Sequence, residues 1–281
     1  MRTNIKVGLV MAIAVSLMAQ EAAAEWVTLG PATACHTYLA YPWAANCDDF
    51  DWVSGYRIQE WVAGPDVWRN DSAAGARAMA IAFGGTWVTA HAITLDGRVL
   101  RRTGGASPVW QPMPLNKCGT NLPPIQFNHG GERPILAVMD DVPWVIDASG
   151  RVRFWRTAGS PDCWAAVATV PGSEAMRGIG AYRSSPAGID RIWALRGINL
   201  YLFDGAQWQL IDTETAEIGN GHPFVLGKNR QDLWQYHIET GEWSLEAVLP
   251  VKAKRLDMGG IYAFFPQFID DQGRVWDYSI F

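Results

Sequence analysis

Two stretches of this chain gather the side chains that do chemistry. Cys35 to Asp51 holds His36, Tyr38, Tyr41, Trp43, Asp48, Asp49 and Asp51, with Trp52 next in line. Rings beside carboxylates suit a sugar, whose apolar face stacks on an aromatic while its hydroxyls donate to carboxylate oxygens. The same aspartates offer hard oxygen donors to Ca²⁺, but the run lacks the spacing of a known calcium loop, so no cofactor is expected and calcium stands as the alternative. The alternative is a disulfide-tied strand with solvated aspartates. Cys118 to Arg133 adds Asn121, Gln126, Asn128, His129, Gly130, Gly131 and Glu132, a polar set that suits either a ligand site or an ordinary surface loop. His129 near Glu132 has the makings of a general base, but no nucleophile or second acid accompanies it.

Other chemistries lose support on motif grounds. There is no G-x-S-x-G elbow, no H-E-x-x-H helix and no phosphate loop ending in Lys-Ser or Lys-Thr. No histidine pair has metal-ligand spacing, and the four cysteines form no CxxC. The pairing that keeps both loops local is Cys35 with Cys47 and Cys118 with Cys163. Disulfides agree with an exported chain. Arg2 and Lys6, the apolar run Val7 to Ala19, and Ala22-Ala23-Ala24 read as a signal peptide over residues 1–24. The expected location is secreted or periplasmic, with no membrane span after cleavage. Net charge is −5 for the full chain, and loss of Arg2, Lys6 and Glu21 makes it one unit more acidic, which argues against nucleic acid as a partner.

The elements that must position these residues come from an internal repeat. Trp26, Trp68, Trp110, Trp164, Trp208 and Trp243 each open a short strand-like run at a spacing near that of propeller blades. About ten residues upstream lies a hydrophobic residue with a large planar side chain after it: Ile58 and Trp61, Val99 and Arg102, Val152 and Trp155, Leu200 and Phe203, Leu233 and Tyr236, Val275 and Tyr278. Hairpin glycines precede most copies at Asp96-Gly97, Ser149-Gly150, Arg196-Gly197 and Gln272-Gly273. Earlier still come strand-like runs such as Trp87 to Ala90, Pro143 to Ile146 and Ile192 to Leu195, preceded by small-residue segments such as Ala78 to Phe83 and Gly178 to Tyr182. One unit thus reads as a small-residue inner strand, a second strand, a hairpin, a third strand and a Trp-opened outer strand. Arg274 to Phe281 supplies a third strand with no outer strand after it, and Glu25 to Leu29 an outer strand with nothing before it. Their pairing closes a ring. The expected fold is all-β, a six-bladed β-propeller spanning residues 25–281 as one domain.

Gly178 to Ala181, Ile192 to Leu195, Leu200 to Gly205 and Trp208 to Ile211, and likewise Thr86 to Val88, Asp96 to Arg102 and Trp110 to Pro114, resemble the tectonin repeat of six-bladed propeller lectins. The resemblance covers essentially all of residues 25–281, with blades one and five departing from the pattern. It implies recognition of glycans or glycoconjugates, commonly on microbial surfaces, through shallow sites. Asp271 to Trp276 fits most of the D-x-G-x-x-W turn of sialidase-like propellers, a structural turn there too. The six recurring tryptophans are expected between blades, which leaves Tyr41, Trp43, Trp52 and Tyr182 as the rings better suited to a ligand. Arg98, Arg101, Arg102, Arg151, Arg153 and Arg156 form either a patch for phosphate or sulfate or a strand face balanced by aspartates.

Three functions fit these residues. The leading one is a non-catalytic, lectin-like module for glycans or cell-envelope glycoconjugates, with Tyr41, Trp43, Asp48, Asp49, Asp51, Trp52, His129, Glu132 and Tyr182 as ligand-binding candidates. The alternative is a propeller-based hydrolase or lyase that brings Asp48, Asp49, Asp51, His129 and Glu132 together across one mouth of the ring. A scaffold for another exported protein is the third, and its sign would be a broad apolar patch.

Overall fold

The computed structural model describes residues 25–29, 36–40, 43–51, 55–62, 67–73, 75–83, 90–104, 107–119, 135–139, 141–157, 162–184, 189–219, 223–257 and 266–279. The leader, residues 1–24, lies outside them. All regular structure among the described residues is β-strand, in six small sheets. Blade one is β2 (His36–Ala40), β3 (Trp43–Asp51), β4 (Gly55–Val62) and β5 (Val67–Asn70), and the short β6 (Arg77–Ala78) also pairs with β4. Blade two is β7 (Ala80–Phe83), β8 (Ala90–Ile93), β9 (Val99–Arg102) and β10 (Trp110–Pro112). Blade three is β11 (Leu136–Met139), β12 (Val142–Ile146), β13 (Val152–Arg156) and β14 (Cys163–Ala166). Blade four is β15 (Met176–Ser184), β16 (Ile189–Arg196), β17 (Asn199–Phe203) and β18 (Trp208–Asp212). Blade five is β19 (Thr215–Ile218), β20 (Phe224–Gly227), β21 (Asp232–His237) and β22 (Glu242–Val248). Blade six is β23 (Ala253–Asp257), β24 (Gln267–Asp270) and β25 (Val275–Ser279), completed by β1 (Glu25–Leu29) from the other end of the chain.

The ring is closed twice. β1 pairs antiparallel with β25 from Glu25 opposite Ser279 to Leu29 opposite Val275. The inner strands β2, β7, β11, β15, β19 and β23 each touch the next, and β23 touches β2. The fold is a six-bladed β-propeller. Small residues permit this crowding at the axis. A Cβ on Gly180 of β15 would lie 2.6 Å from the carbonyl oxygen of Gly219 at the end of blade five's inner strand, and one on Gly178 2.8 Å from the Ile218 side chain.

The hairpin glycines occur where the chain must reverse with positive φ: Gly97 at 82°, Gly150 at 77°, Gly197 at 60° and Gly273 at 77°. In three of these hairpins the glycine N–H donates to the carbonyl three residues back, at Thr94, Asp147 and Asp270. In blade five the same bond, to Gly227, comes from Arg230, which accepts φ 62° without being glycine. Its guanidinium Nη1 donates to the carbonyls of Ala253 and Lys254 in blade six, a compensation that glycine could not supply.

There is no single core. Six separate apolar clusters sit one at each seam between adjacent blades. Every repeat tryptophan belongs to one of them, and each faces its planar partner directly across the outer strand pair: Trp61 and Trp68, Arg102 and Trp110, Trp155 and Trp164, Phe203 and Trp208, Tyr236 and Trp243, Tyr278 and Trp26. Centroid separations of the all-aromatic pairs are 4.9 to 5.4 Å. In four blades the indole N–H also donates to the tail of the previous blade's outer strand. Trp68 bonds the carbonyl of Leu29 at 3.3 Å, Trp110 the carboxylate of Asp71 at 2.9 Å, Trp164 the carbonyl of Pro114 at 2.8 Å and Trp208 that of Ala168 at 2.7 Å.

Two seams carry further fasteners. Asp71, buried between blades one and two, receives both Arg102 Nε and Nη2 at 3.1 Å, the Trp110 indole and the Ala73 N–H. Burial pushes the Asp71 carboxyl up, but these donors outweigh it and hold the group below the ordinary aspartate range. Between blades two and three, Cys118 and Cys163 form a disulfide, and Lys117 adds a parallel bridge to Trp164.

The structure corrects several sequence expectations. Cys35 to Asp51 is no insertion: its described part forms the inner two strands of blade one, with a register break between Asn46 and Phe50 that sets Cys47, Asp48 and Asp49 outside regular pairing with β4. Of the expected strand Trp87 to Ala90, Ala90 opens β8 (Ala90–Ile93), and Trp87 to Thr89 lie outside the described residues. The turn that Asp271 to Trp276 matches is closed by the buried Asp270 just before it, which accepts from Gln272 N, Arg274 N, Arg274 Nε and Trp276 Nε1. The Cys35–Cys47 pairing lies outside the described residues.

Deleting residues 274–281 removes the partner of β1, and circular dichroism melts are expected to lose their cooperative transition; a folded, monomeric truncation would refute ring closure. Desolvation opposes ionisation of Asp71, Asp147 and Asp270, yet donors hold all three below the ordinary value. Their stabilisation is complete above the unfolded value and lost as pH falls through the folded one, so the thermal midpoint should drop below about pH 4. Burial raises Glu60 and Asp277, which act in the opposite sense, so the decisive comparison is a variant. Asp71→Asn should cost about 3–5 kcal/mol at pH 7 by leaving the buried Arg102 with only more distant charge such as Glu60 at 3.9 Å, and should weaken the acid dependence. An unaltered acid profile in that variant would remove Asp71 from the account.

Candidate functional site

Blade five is one of the two blades that depart from the repeat, and its seam with blade four opens into a cleft of about 450 Å³. Its walls are Asp212 and Glu214 from the connection after β18, Val225 and Gly227 at the end of β20, Lys228 and Asn229 in the hairpin, and Asp232, Trp234 and Trp243 from β21 and β22. Trp243 holds the position whose counterparts at four other seams donate an indole bond to the preceding blade. It forms none here and lines the cleft.

Local bonds set the walls. The Asp212 carboxylate accepts the Thr215 hydroxyl at 2.5 Å, which turns the connection from blade four into blade five. Asn229 Oδ1 accepts the backbone N–H groups of Gln231 and Asp232, both at 3.0 Å, and shapes the hairpin that ends at Arg230. Trp243 packs on Tyr236 with centroids 4.9 Å apart. The result is two tryptophan rings with three carboxylates, one ammonium and one amide at one cleft. This is the donor, acceptor and ring set that a polyhydroxylated ligand matches. Among the described residues no group of three or more His, Cys, Asp or Glu side chains could hold a metal ion.

Of the sequence candidates, Asp51 ends β3, paired with Gly55 and half-buried. Trp43 opens β3 opposite Glu60, Asp48 and Asp49 fall in its register break, and Tyr182 lies in β15 opposite Arg191; the side chains of these four lie outside the described residues, as do Tyr41, Trp52, His129 and Glu132 entirely. The repeat places Trp243 among the rings between blades, so the sequence does not single out the cleft residues. The signal available was the absence of a hairpin glycine in blade five.

The six-arginine patch resolves into its balanced alternative for three members. Arg102 is buried on Asp71, Arg153 on Asp147, and Arg98 pairs with Asp96 at 2.8 Å. Arg156 Nη2 lies 3.6 Å from Cys163 Sγ. Exposed large apolar side chains among the described residues are Ile198, Leu210, Leu245 and Val248, three of them on the outer strands of blades four and five. No helix of the described residues is long and apolar enough to cross a membrane.

No protein-family model matches the chain, and no curated protein sequence matches it. Solved structures do. A protein of unknown function from Bacteroides thetaiotaomicron VPI-5482 superposes with a TM-score of 0.57 at 9% identity, over 92% of this chain and 73% of that one. The Cps50 (Swd1) beta-propeller domain of Myceliophteria thermophila gives 0.48 at 8% identity, covering 92% and 100%. YCF48 from Cyanidioschyzon merolae gives 0.47 at 11%, covering 91% and 98%. The first likeness shows the fold alone, and the other two add nothing to it.

The seams differ in a way substitutions can read. Trp208→Phe removes a donor to a backbone carbonyl and is expected to cost about 1–3 kcal/mol more than Trp243→Phe, which removes none. Equal losses in chemical denaturation would show that the indole bonds contribute nothing.

Proposed function

We propose that this protein is an exported, non-catalytic, tectonin-like lectin module that binds glycans or cell-envelope glycoconjugates, and that the cleft between blades four and five is its binding site. The observation that carries this reading is Trp234 and Trp243 beside Asp212, Glu214 and Asp232 in one cleft. A sugar's apolar face stacks on an indole while its hydroxyls donate to the carboxylates. Export after removal of residues 1–24 is supported by the Cys118–Cys163 disulfide, since such bonds persist in oxidising compartments. The resemblance of the repeat to tectonin lectins points to the same ligand class.

A glycan array with the full chain, run with and without salt and chelator, tests the proposal. Glycans that bind should bind Trp243→Ala and Asp232→Asn at least about tenfold more weakly, as expected for a central tryptophan and a carboxylate acceptor. Absence of signal on every glycan, or undiminished binding by both folded variants, would overturn it. Loss of binding in chelator, restored by added calcium, would show that calcium takes part in binding.

A further inference from the structure

The cleft between blades four and five is charged as well as aromatic. Asp212 and Glu214 bring two carboxylates from the end of blade four and the connection after it, Asp232 brings a third from blade five, and Lys228 brings an ammonium. Carboxylates therefore outnumber cations at the cleft. Elsewhere in the ring an inward-facing carboxylate comes with an arginine: Asp71 with Arg102, Asp147 with Arg153, Glu217 with Arg255 and Asp270 with Arg274. No arginine lines this cleft. Among the described residues Asp212, Glu214 and Asp232 form no salt bridge, with Lys228 or with any other cation. Asp212 accepts the Thr215 hydroxyl, whereas the side-chain oxygens of Glu214 and Asp232 accept no hydrogen bond among the described residues. Glu214 is exposed and the other two are half-buried, which leaves all three within reach of a ligand.

We infer that this cleft recognises a cationic amino sugar, a glucosamine-type unit whose ammonium supplies the positive charge that arginine supplies at the other carboxylates. The inference rests on the cleft being the glycan site proposed above, and it names the class of glycan taken there. An ammonium carries three N–H donors and no acceptor, so it complements a cleft whose unpaired polar groups are mostly carboxylates. Trp234 and Trp243 favour the same ligand, because an indole face attracts a cation and also stacks on the apolar side of a sugar. An N-acetylated sugar lacks the charge. Its carbonyl would bring one more acceptor to a cleft already rich in them.

Calorimetric titration of the full chain with a glucosamine trimer, an N-acetylglucosamine trimer and trilysine tests this, at one ionic strength and at pH 6, where amines are protonated. The glucosamine trimer is expected to bind at least about tenfold more tightly than the N-acetylated one. Asp232→Asn and Glu214→Gln should each cut that preference at least about threefold. Glu214 is exposed, so its variant keeps the test valid should Asp232→Asn fold poorly. Trilysine binding as tightly as the glucosamine trimer would reduce the effect to bulk charge and overturn the inference. Equal or tighter binding of the N-acetylated trimer, or a preference unchanged in both folded carboxylate variants, would overturn it too. If neutral glycans bind and lose affinity in Trp243→Ala while the glucosamine trimer does not bind, the amino-sugar inference falls and the glycan reading stands. Binding of no glycan at all removes both.

Discussion

Each blade is fastened to the one before it across a seam, and the tryptophan that opens its outer strand is the fastener. In a ring of thin sheets no residue is far from solvent, so a large ring inserted at every seam is how the chain gathers apolar contact. The indole adds direction. By donating to the end of the preceding outer strand, Trp68, Trp110, Trp164 and Trp208 fix the angle at which the next blade sets off. Closure of β1 on β25 turns the stack of seams into a ring with no terminal blade.

Charge follows the same geometry. Asp71 sits where a backbone carbonyl stands at other seams, and its carboxylate draws Arg102 inward to take the place an aromatic ring holds in the other five blades. Blade two therefore replaces an aromatic pair by an ion pair against an indole. Asp147 and Asp270 fasten the hairpins of their own blades, collecting turn N–H groups and an arginine from the third strand or its approach. Arginines that read as a surface stripe are in large part internal partners of these carboxylates.

The candidate site lies at a seam, where the repeat is least regular. Blade five uses Arg230 in place of a hairpin glycine, its tryptophan donates no indole bond to blade four, and a cleft lies at that seam. The cleft does not interrupt the ring, because the inner strands continue behind it.

The amino-acid sequence by itself determined the repeat unit. Tryptophans, their planar partners, hairpin glycines and the split sixth blade are all patterns within one blade or at the chain ends, where spacing along the chain maps onto neighbouring strands. The site residues were not legible in this way. Trp243 and Asp212 meet only after two blades pack, at a separation of some thirty residues along the chain. Nothing in local spacing distinguishes a repeat tryptophan that bonds the preceding blade from one that does not. That difference is decided by how two blades meet, far apart along the chain, and it exists only in the tertiary structure.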